Sequence, residues 1–391
     1  MGHPINNLPS LMSIADAQFK NWPAALRGAS SEFTSSKPLS VASLSKLQLL
    51  EKAIQKESET RESKFRKGLD RYRNSKFIGP QLSPATTILE GKHCNLRFYK
   101  SSNRKEAERR PLLLCIPSLV NKYYILDLTP QTSLVQHFNR ESLDVCIVEW
   151  HTPIGEDAKM GVDDYVISLL ETLQEHWEFI NRPLLTLGYC LGGVIATALT
   201  CLFPRVMGLA LLATPWDFSH YSFAKMNSEQ RHSLKEKIKK APLFASENVQ
   251  SLCYLANAGR VINQFSKFSE ASSIRDEMNF VAMQHWANDG VDVTQTVAEQ
   301  CLLDWPRDNP LPKGVWEVGG QVIRTNELNI PIFAAIPTRD KIVPYECAVP
   351  LVDGMDNVTL ITPSSGHVGM VAGLEQGDRM LLPMKRWMAQ F

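Results

Sequence analysis

Residues 184–193 read Leu184-Leu-Thr-Leu-Gly188-Tyr-Cys190-Leu-Gly192-Gly193, and the run from Val194 to Phe203 that follows has helical character. An apolar strand, a tight G-x-C-x-G turn and a helix make a nucleophile elbow, with cysteine in the place usually held by serine. The nucleophile of such an elbow sits on a strained turn, so the positions two before and two after it must let strand and helix approach closely. Gly188 and Gly192 stand at those positions. The helix beyond the turn aims its first amides at the thiol, which favours a thiolate and leaves the Leu191 N–H to hold an oxyanion. Taken alone, the motif also describes a glycine-bounded turn around a buried cysteine.

What lies downstream favours the elbow. Its fold, the α/β-hydrolase fold, presents an acid and then a histidine later in the chain, each after a strand. Pro331-Ile-Phe-Ala-Ala-Ile336 reads as a strand and is followed by Pro337-Thr-Arg-Asp340, while Val358-Thr-Leu-Ile361 is followed by Thr362-Pro-Ser-Ser-Gly366-His367. Order and context therefore select Cys190 as nucleophile, His367 as the base that takes its proton and Asp340 as the acid that fixes the imidazole tautomer. The second oxyanion donor is expected in the loop after the Pro111–Ile116 strand, within Pro117-Ser-Leu-Val-Asn121, at Val120. Of the other histidines, His3 and His232 lie in polar surface-like sequence, and His93, His137, His151, His176, His220 and His285 lack the required context and read as structural. Trp216 and Asp217 follow the strand Gly208–Ala213 on the same sheet edge as Cys190. For Asp217, a turn residue capping the next segment is preferred over a substrate contact.

Outward from these motifs, short β-rich runs alternate with helical ones, as in a mostly parallel, doubly wound sheet covered on both faces. Strands are predicted at 87–89, 96–99, 111–116, 144–149, 184–187, 208–213, 331–336 and 358–361, with helices at 134–138 and 162–177 between them. The stretch 216–327 interrupts this rhythm with helical segments at 228–240, 247–265 and 276–286, and is expected to be a helical cap inserted over the site. From Lys46 to Lys76 a charge-dense segment carries Leu47, Leu50, Ile54, Phe65, Leu69 and Tyr72 at helical intervals, predicting one long amphipathic helix that packs by one stripe or binds a partner. The expected division is an N-terminal helical extension (1–78), a first core part (79–215), the cap (216–327) and a second core part (328–391).

Composition sets outer bounds. The chain of 391 residues is 44% hydrophobic, enough for a large core, and its 42 Lys and Arg against 41 Asp and Glu create no field that would draw it to nucleic acid or an anionic membrane. Eight cysteines, at 94, 115, 146, 190, 201, 253, 301 and 347, form no C-x-x-C pair and no zinc or disulfide framework, so no metal is expected. Cys115 and Cys146 fall inside apolar strand runs and read as small buried hydrophobes. Met1 to Lys20 shows no signal-peptide pattern, Gly2 is followed by Asn6 where a myristoylation signal has Ser or Thr, and no apolar run is long enough to cross a bilayer. A cytoplasmic protein, with any membrane or granule attachment peripheral, is expected.

Several stretches together resemble the polyhydroxyalkanoate (poly-3-hydroxybutyrate) synthase family. Pro117-Ser-Leu-Val-Asn-Lys-Tyr-Tyr-Ile-Leu-Asp-Leu128 is similar to the segment after an early strand in that family, Val148-Glu-Trp-His-Thr-Pro153 to its next strand end, and Gly188-Tyr-Cys-Leu-Gly-Gly193 to its lipase-like box. Leu211-Leu-Ala-Thr-Pro-Trp-Asp-Phe218, Leu303-Asp-Trp-Pro-Arg-Asp-Asn-Pro-Leu-Pro312, Arg339-Asp-Lys-Ile-Val-Pro344 and Ser364-Ser-Gly-His367 carry it further. The resemblance implies an acyltransferase in which Cys190 accepts a 3-hydroxyacyl group from a coenzyme A thioester, the coenzyme being substrate and no bound cofactor being needed, and passes it to the hydroxyl of a growing polyester. It also implies a granule surface as a site of work and, because the chain is short, an accessory synthase subunit or a homodimer. A thioester or ester hydrolase, or a polyhydroxyalkanoate depolymerase with the same Cys-His-Asp triad, would show the same motifs. The other alternative is a granule-associated binding protein that does no chemistry.

Overall fold

The computed structural model describes residues 12–13, 15–17, 19, 41–373 and 377–391. The readings made above for Gly2, His3 and Asn6 lie outside them, as does the side chain of Leu47. The chain divides into two compact units, one formed by Met1–Gly79 with Glu247–Asn288, the other by Pro80–Ser246 with Asp289–Phe391. The stretch 216–327, expected as one cap, is thus shared between the units.

The larger unit is built on an eight-stranded sheet: β1 (Thr87–Glu90), β2 (Cys94–Tyr99), β3 (Leu112–Ile116), β4 (Val145–Trp150), β5 (Leu184–Tyr189), β6 (Val206–Leu212), β7 (Ile332–Ala335) and β8 (Val358–Ile361). The spatial order is β1-β2-β4-β3-β5-β6-β7-β8. β1 and β2 pair antiparallel, β2 returns antiparallel onto β4, and every later pairing is parallel. All eight strands lie where the sequence predicts them. They do so because parallel strands covered on both faces need continuous apolar runs, and β3 and β5 are buried at every position. Helices α2 (Val162–Glu175) and α3 (Leu191–Leu202) pack on this sheet and on each other. Since β3, β5, β6, β7 and β8 run in one direction, the loops after them emerge along one edge.

One charged cluster fixes the opposite end of β4. Asp144, fully buried, accepts hydrogen bonds from the Ser101 amide at 2.7 Å, Arg104 Nη1 at 2.6 Å and Arg182 Nη2 at 2.6 Å. It ties the loop after β2 and the turn before β5 to the start of β4. The larger unit also carries Cys115 and Cys146, each 1% exposed, as the sequence suggested, and burial pushes both thiols up.

In the smaller unit α1 (Val41–Arg73) packs with α4 (Ser246–Phe268) and α5 (Ile274–Asn288). Phe65, Leu69 and Tyr72 of α1 meet Val261, Ile262, Phe265, Phe268, Phe280 and Val281. Gly68 allows the crossing: a Cβ there would lie 1.9 Å from the Phe265 carbonyl oxygen. Arg71 Nη2 and Ser75 Oγ both reach the Glu277 carboxylate, at 2.7 and 2.8 Å. Among the described residues the stripe packs over its C-terminal half, and Leu50 is 51% exposed.

The Asp144 cluster makes a prediction. Burial by itself would raise this carboxyl, but the Ser101 amide and the two guanidiniums lower it below the usual carboxylate value. A carboxyl with a depressed folded-state pKa contributes stability above its unfolded value and loses it as pH falls through the folded one. Asp144→Asn, which strands two arginines, is expected to cost roughly 3 kcal/mol in urea unfolding at neutral pH. The same variant should show a weaker loss of stability on acidification than the parent chain.

Candidate active site

The elbow closes as its glycines require. Cys190 lies at φ +55° and ψ −128°, a region an L-residue adopts only under constraint, between the end of β5 and the start of α3. Its amide donates to the Leu212 carbonyl at 2.9 Å, and its carbonyl accepts from the Gly193 amide at 2.9 Å. Helix and strands approach so closely that a Cβ on Gly188 would lie 2.3 Å from Gly193 Cα, and one on Gly192 2.1 Å from the Ile116 carbonyl oxygen. The thiol side chain is left partly exposed while the strand beneath it is fully buried. α3 begins at Leu191, so the Leu191 amide sits at the helix N-terminus beside the thiol, the position expected of an oxyanion donor.

The loops after β7 and β8 meet on the same edge. Thr338 N–H donates to the Pro363 carbonyl and Arg339 N–H to that of Ser365, both at 3.0 Å. These bonds bring the two side chains into register: His367 Nδ1 lies 2.6 Å from Asp340 Oδ2. The other carboxylate oxygen, Oδ1, accepts from the amides of Ile342 and Val343 at 2.8 and 2.9 Å, which sets the plane of the acid. Both residues are 5% exposed. Tyr189 supports the imidazole from below, its ring centroid 5.0 Å away and its hydroxyl donating to the His367 carbonyl at 3.4 Å.

Burial would depress the His367 imidazole, but the hydrogen-bonded Asp340 carboxylate and the nearby Cys190 sulfur more than offset this and raise it to about 10. His367 and Asp340, read from separate loops by order alone, are thus a hydrogen-bonded pair, and the Cys190 sulfur lies near enough to act on the imidazole. A thiol, an imidazole and a buried carboxylate so arranged can move one proton between sulfur and nitrogen while nitrogen stays oriented.

Val120 lies in the loop after β3 as expected. Its carbonyl accepts from Val291 N–H at 3.1 Å, and Asn121 forms a β-bridge with Gly290, so residues 290–291 hold this loop. Trp150 Nε1 donates to the Pro117 carbonyl at 3.1 Å and fixes its other end. Of the other described histidines, His93 bonds Ser168 Oγ and Asp157, His151 bonds Asn95, His176 bonds the Glu90 carbonyl, His220 and His232 are exposed, and His137 and His285 each keep a buried ring nitrogen without a hydrogen-bond partner. Asp217 caps the turn Phe218–His220, accepting from Ser219 N–H and from Asn309 Nδ2, each at 2.9 Å. Trp216 is 2% exposed and packs edge-on to Trp316.

Sequence reasoning passed over three residues of this edge. Tyr221, in the loop after β6, lies within electrostatic range of Cys347, and Cys301 within that of Cys190. Cys301 sits on a π-helical turn, Gln300–Asp304, a distortion that often marks a functional position and the one signal that could have drawn attention to it. No motif marks Tyr221 or Cys347, which loops of unrelated sequence bring together.

Residues 73–138 match the family described as Poly-beta-hydroxybutyrate polymerase (PhaC) N-terminus. Among curated proteins, the chain is 26% identical over 308 residues to the Poly(3-hydroxyalkanoate) polymerase subunit PhaC of Haloferax mediterranei, a match covering 73% of this chain and 60% of that protein. To the protein of the same name from Allochromatium vinosum it is 22% identical over 327 residues, covering 81% of this chain and 91% of that one. The chain thus spans less than two thirds of the Haloferax relative and nearly all of the Allochromatium one. Among solved structures, a Paleococcus ferrophilus monoacylglycerol lipase superposes with a TM-score of 0.50 at 13% identity, over 76% of this chain and 99% of that one, which speaks for the fold alone. With an eight-stranded, mostly parallel sheet carrying an elbow, the chain has an α/β-hydrolase fold, and in sequence it is similar to the polyhydroxyalkanoate synthases.

Proposed function

We propose that the chain is an acyltransferase that takes 3-hydroxyacyl groups from coenzyme A thioesters onto Cys190 and passes them to the hydroxyl end of a growing polyester. The observation that carries this reading is the Cys190 elbow beside the His367–Asp340 pair, in a chain whose sequence relatives are polymerases.

Each residue has a defined part. His367 takes the Cys190 proton, and the sulfur attacks the thioester carbonyl. The tetrahedral oxyanion is held by the Leu191 amide, with Val120 as second donor, and coenzyme A leaves as its thiol with the proton returned by the imidazole. In the second half-reaction His367 takes a proton from the acceptor hydroxyl, whose oxygen attacks the Cys190 thioester. The new ester leaves, and the proton passes back to sulfur. Thioester exchange is nearly thermoneutral and a thioester still acylates an alcohol readily, so cysteine suits a carrier between the two. Asp340 holds the imidazole in place and stabilises its charged form.

Water must be kept from the intermediate if the alcohol is to win. Parts of the inserted stretch reach the nucleophile edge within the larger unit: Gly290 and Val291 bind the loop of Val120, and the turn bearing Cys301 stands by Cys190. The Haloferax and Allochromatium relatives are named as subunits, which supports work alongside an accessory subunit or a second copy. No helix among the described residues is long and apolar enough to cross a membrane, so attachment to a polyester granule would be peripheral.

Two tests follow. Incubated with 3-hydroxybutyryl-coenzyme A, the chain should release coenzyme A and form polymer, and Cys190→Ala should lose both by at least about a thousandfold. Coenzyme A release with only free hydroxy acid as product would mean hydrolysis, and no release at all would leave the binding-protein reading. Asp340→Asn should bring the His367 imidazole, followed by nitrogen-15 NMR, down from about 10 toward or below the ordinary histidine value, because burial then acts with no carboxylate to oppose it.

A further inference from the structure

The carbonyl of Pro117, at the start of the loop after β3, stands between two groups. On one side is the elbow: a Cβ on Gly192, the residue after Leu191, would lie 2.5 Å from the Pro117 oxygen. On the other is Trp150, the last residue of β4, whose Nε1–H donates to the same oxygen at 3.1 Å. The indole is itself braced. It lies edge-on to the Tyr165 ring of α2 with centroids 5.4 Å apart, and the two rings line one small cavity with Leu119, Val291 and Val297.

This clamp has a counterpart further along the loop, where the Val120 carbonyl accepts from Val291 N–H at 3.1 Å. Peptide groups are planar, so the two bonds fix the Pro117–Ser118 and Val120–Asn121 planes. The Leu119–Val120 peptide, which carries the Val120 N–H, lies between them, and only the dihedral angles of Ser118, Leu119 and Val120 remain to place it. The Ser118 side chain gives no help: the residue is 5% exposed and its Oγ has no hydrogen-bond partner among the described residues. A carbonyl oxygen beside the elbow is also the wrong pole for an oxyanion, and the indole N–H holds this one in a fixed direction.

We propose that Trp150 is a positioning residue for acyl transfer. Its indole N–H sets the loop after β3 against the elbow, and through that loop it places the Val120 amide that would hold the oxyanion together with Leu191. This rests on Cys190 and Val120 acting as proposed above, and it holds whether alcohol or water finally takes the acyl group.

Two reactions of the same sulfur separate positioning from damage. Acylation by p-nitrophenyl butyrate passes through an oxyanion and alkylation by iodoacetamide does not, so a residue that acts through the oxyanion loop slows only the first. Both are followed on the intact chain at the Cys190 peptide by mass spectrometry. Trp150→Phe, which removes the N–H and keeps a ring against Tyr165, should slow acylation about thirtyfold and leave alkylation within about twofold of the parent. Trp150→His, whose five-membered ring offers an N–H in the same place relative to Cβ, should recover most of the loss. Acylation at the parent rate in Trp150→Phe, an equal fall in both reactions, or no recovery in Trp150→His overturns the proposal. If Trp150→Phe does not fold, the same two rates decide with the Trp150 indole replaced by benzothiophene, which keeps the shape and lacks the N–H. Acylation of the parent by 3-hydroxybutyryl-coenzyme A, measured alongside, separates this proposal from the one it rests on. If the ester acylates Cys190 and the thioester does not, the functional reading falls and Trp150 keeps its part. If neither does, both fall.

Discussion

The close approach of α3 to the ends of β3 and β5 is the constraint from which the site follows. Cys190 can hold a positive φ only because Gly188 and Gly192 present no side chain where Gly193 Cα and the Ile116 carbonyl stand. That geometry lifts the thiol out of a fully buried strand, places it at a helix N-terminus and leaves the Leu191 amide beside it. A methyl group at either glycine would have to push backbone, not a flexible side chain, and would cost the turn itself.

The parallel sheet supplies the rest. Each functional side chain comes from a loop after a different strand, and the common strand direction delivers those loops to one edge. Hydrogen bonds between the β7 and β8 loops then set His367 Nδ1 at 2.6 Å from Asp340. Charge follows geometry: burial acts to deprotonate His367, the carboxylate and sulfur act to protonate it, and the latter pair wins. An imidazole so oriented is suited to exchanging a proton with a neighbouring thiol.

Much of this was legible in the sequence. Strands buried on both faces are continuous apolar runs, so all eight could be read, and the order Cys190, Asp340, His367 after successive strands singled out the residues that the fold brings together. What could not be read depends on packing between segments distant in sequence. The stretch 216–327 looked like one insertion, yet Phe265 and Phe280 share a core with Phe65 and Tyr72, and only the Gly68 crossing reveals why. Leu50 fits the helical stripe but finds no cover among the described residues, because periodicity registers a face and not what meets it.

The central claim is that Cys190 carries an acyl group covalently between a thioester donor and an alcohol acceptor. Rapid quenching in acid after brief exposure to 3-hydroxybutyryl-coenzyme A, followed by peptide mass spectrometry, examines that intermediate directly. The account predicts a 3-hydroxybutyryl adduct on the peptide bearing Cys190, removed by neutral hydroxylamine as thioesters are. Turnover with that peptide unmodified at every quench time, or an adduct on another residue, would contradict it.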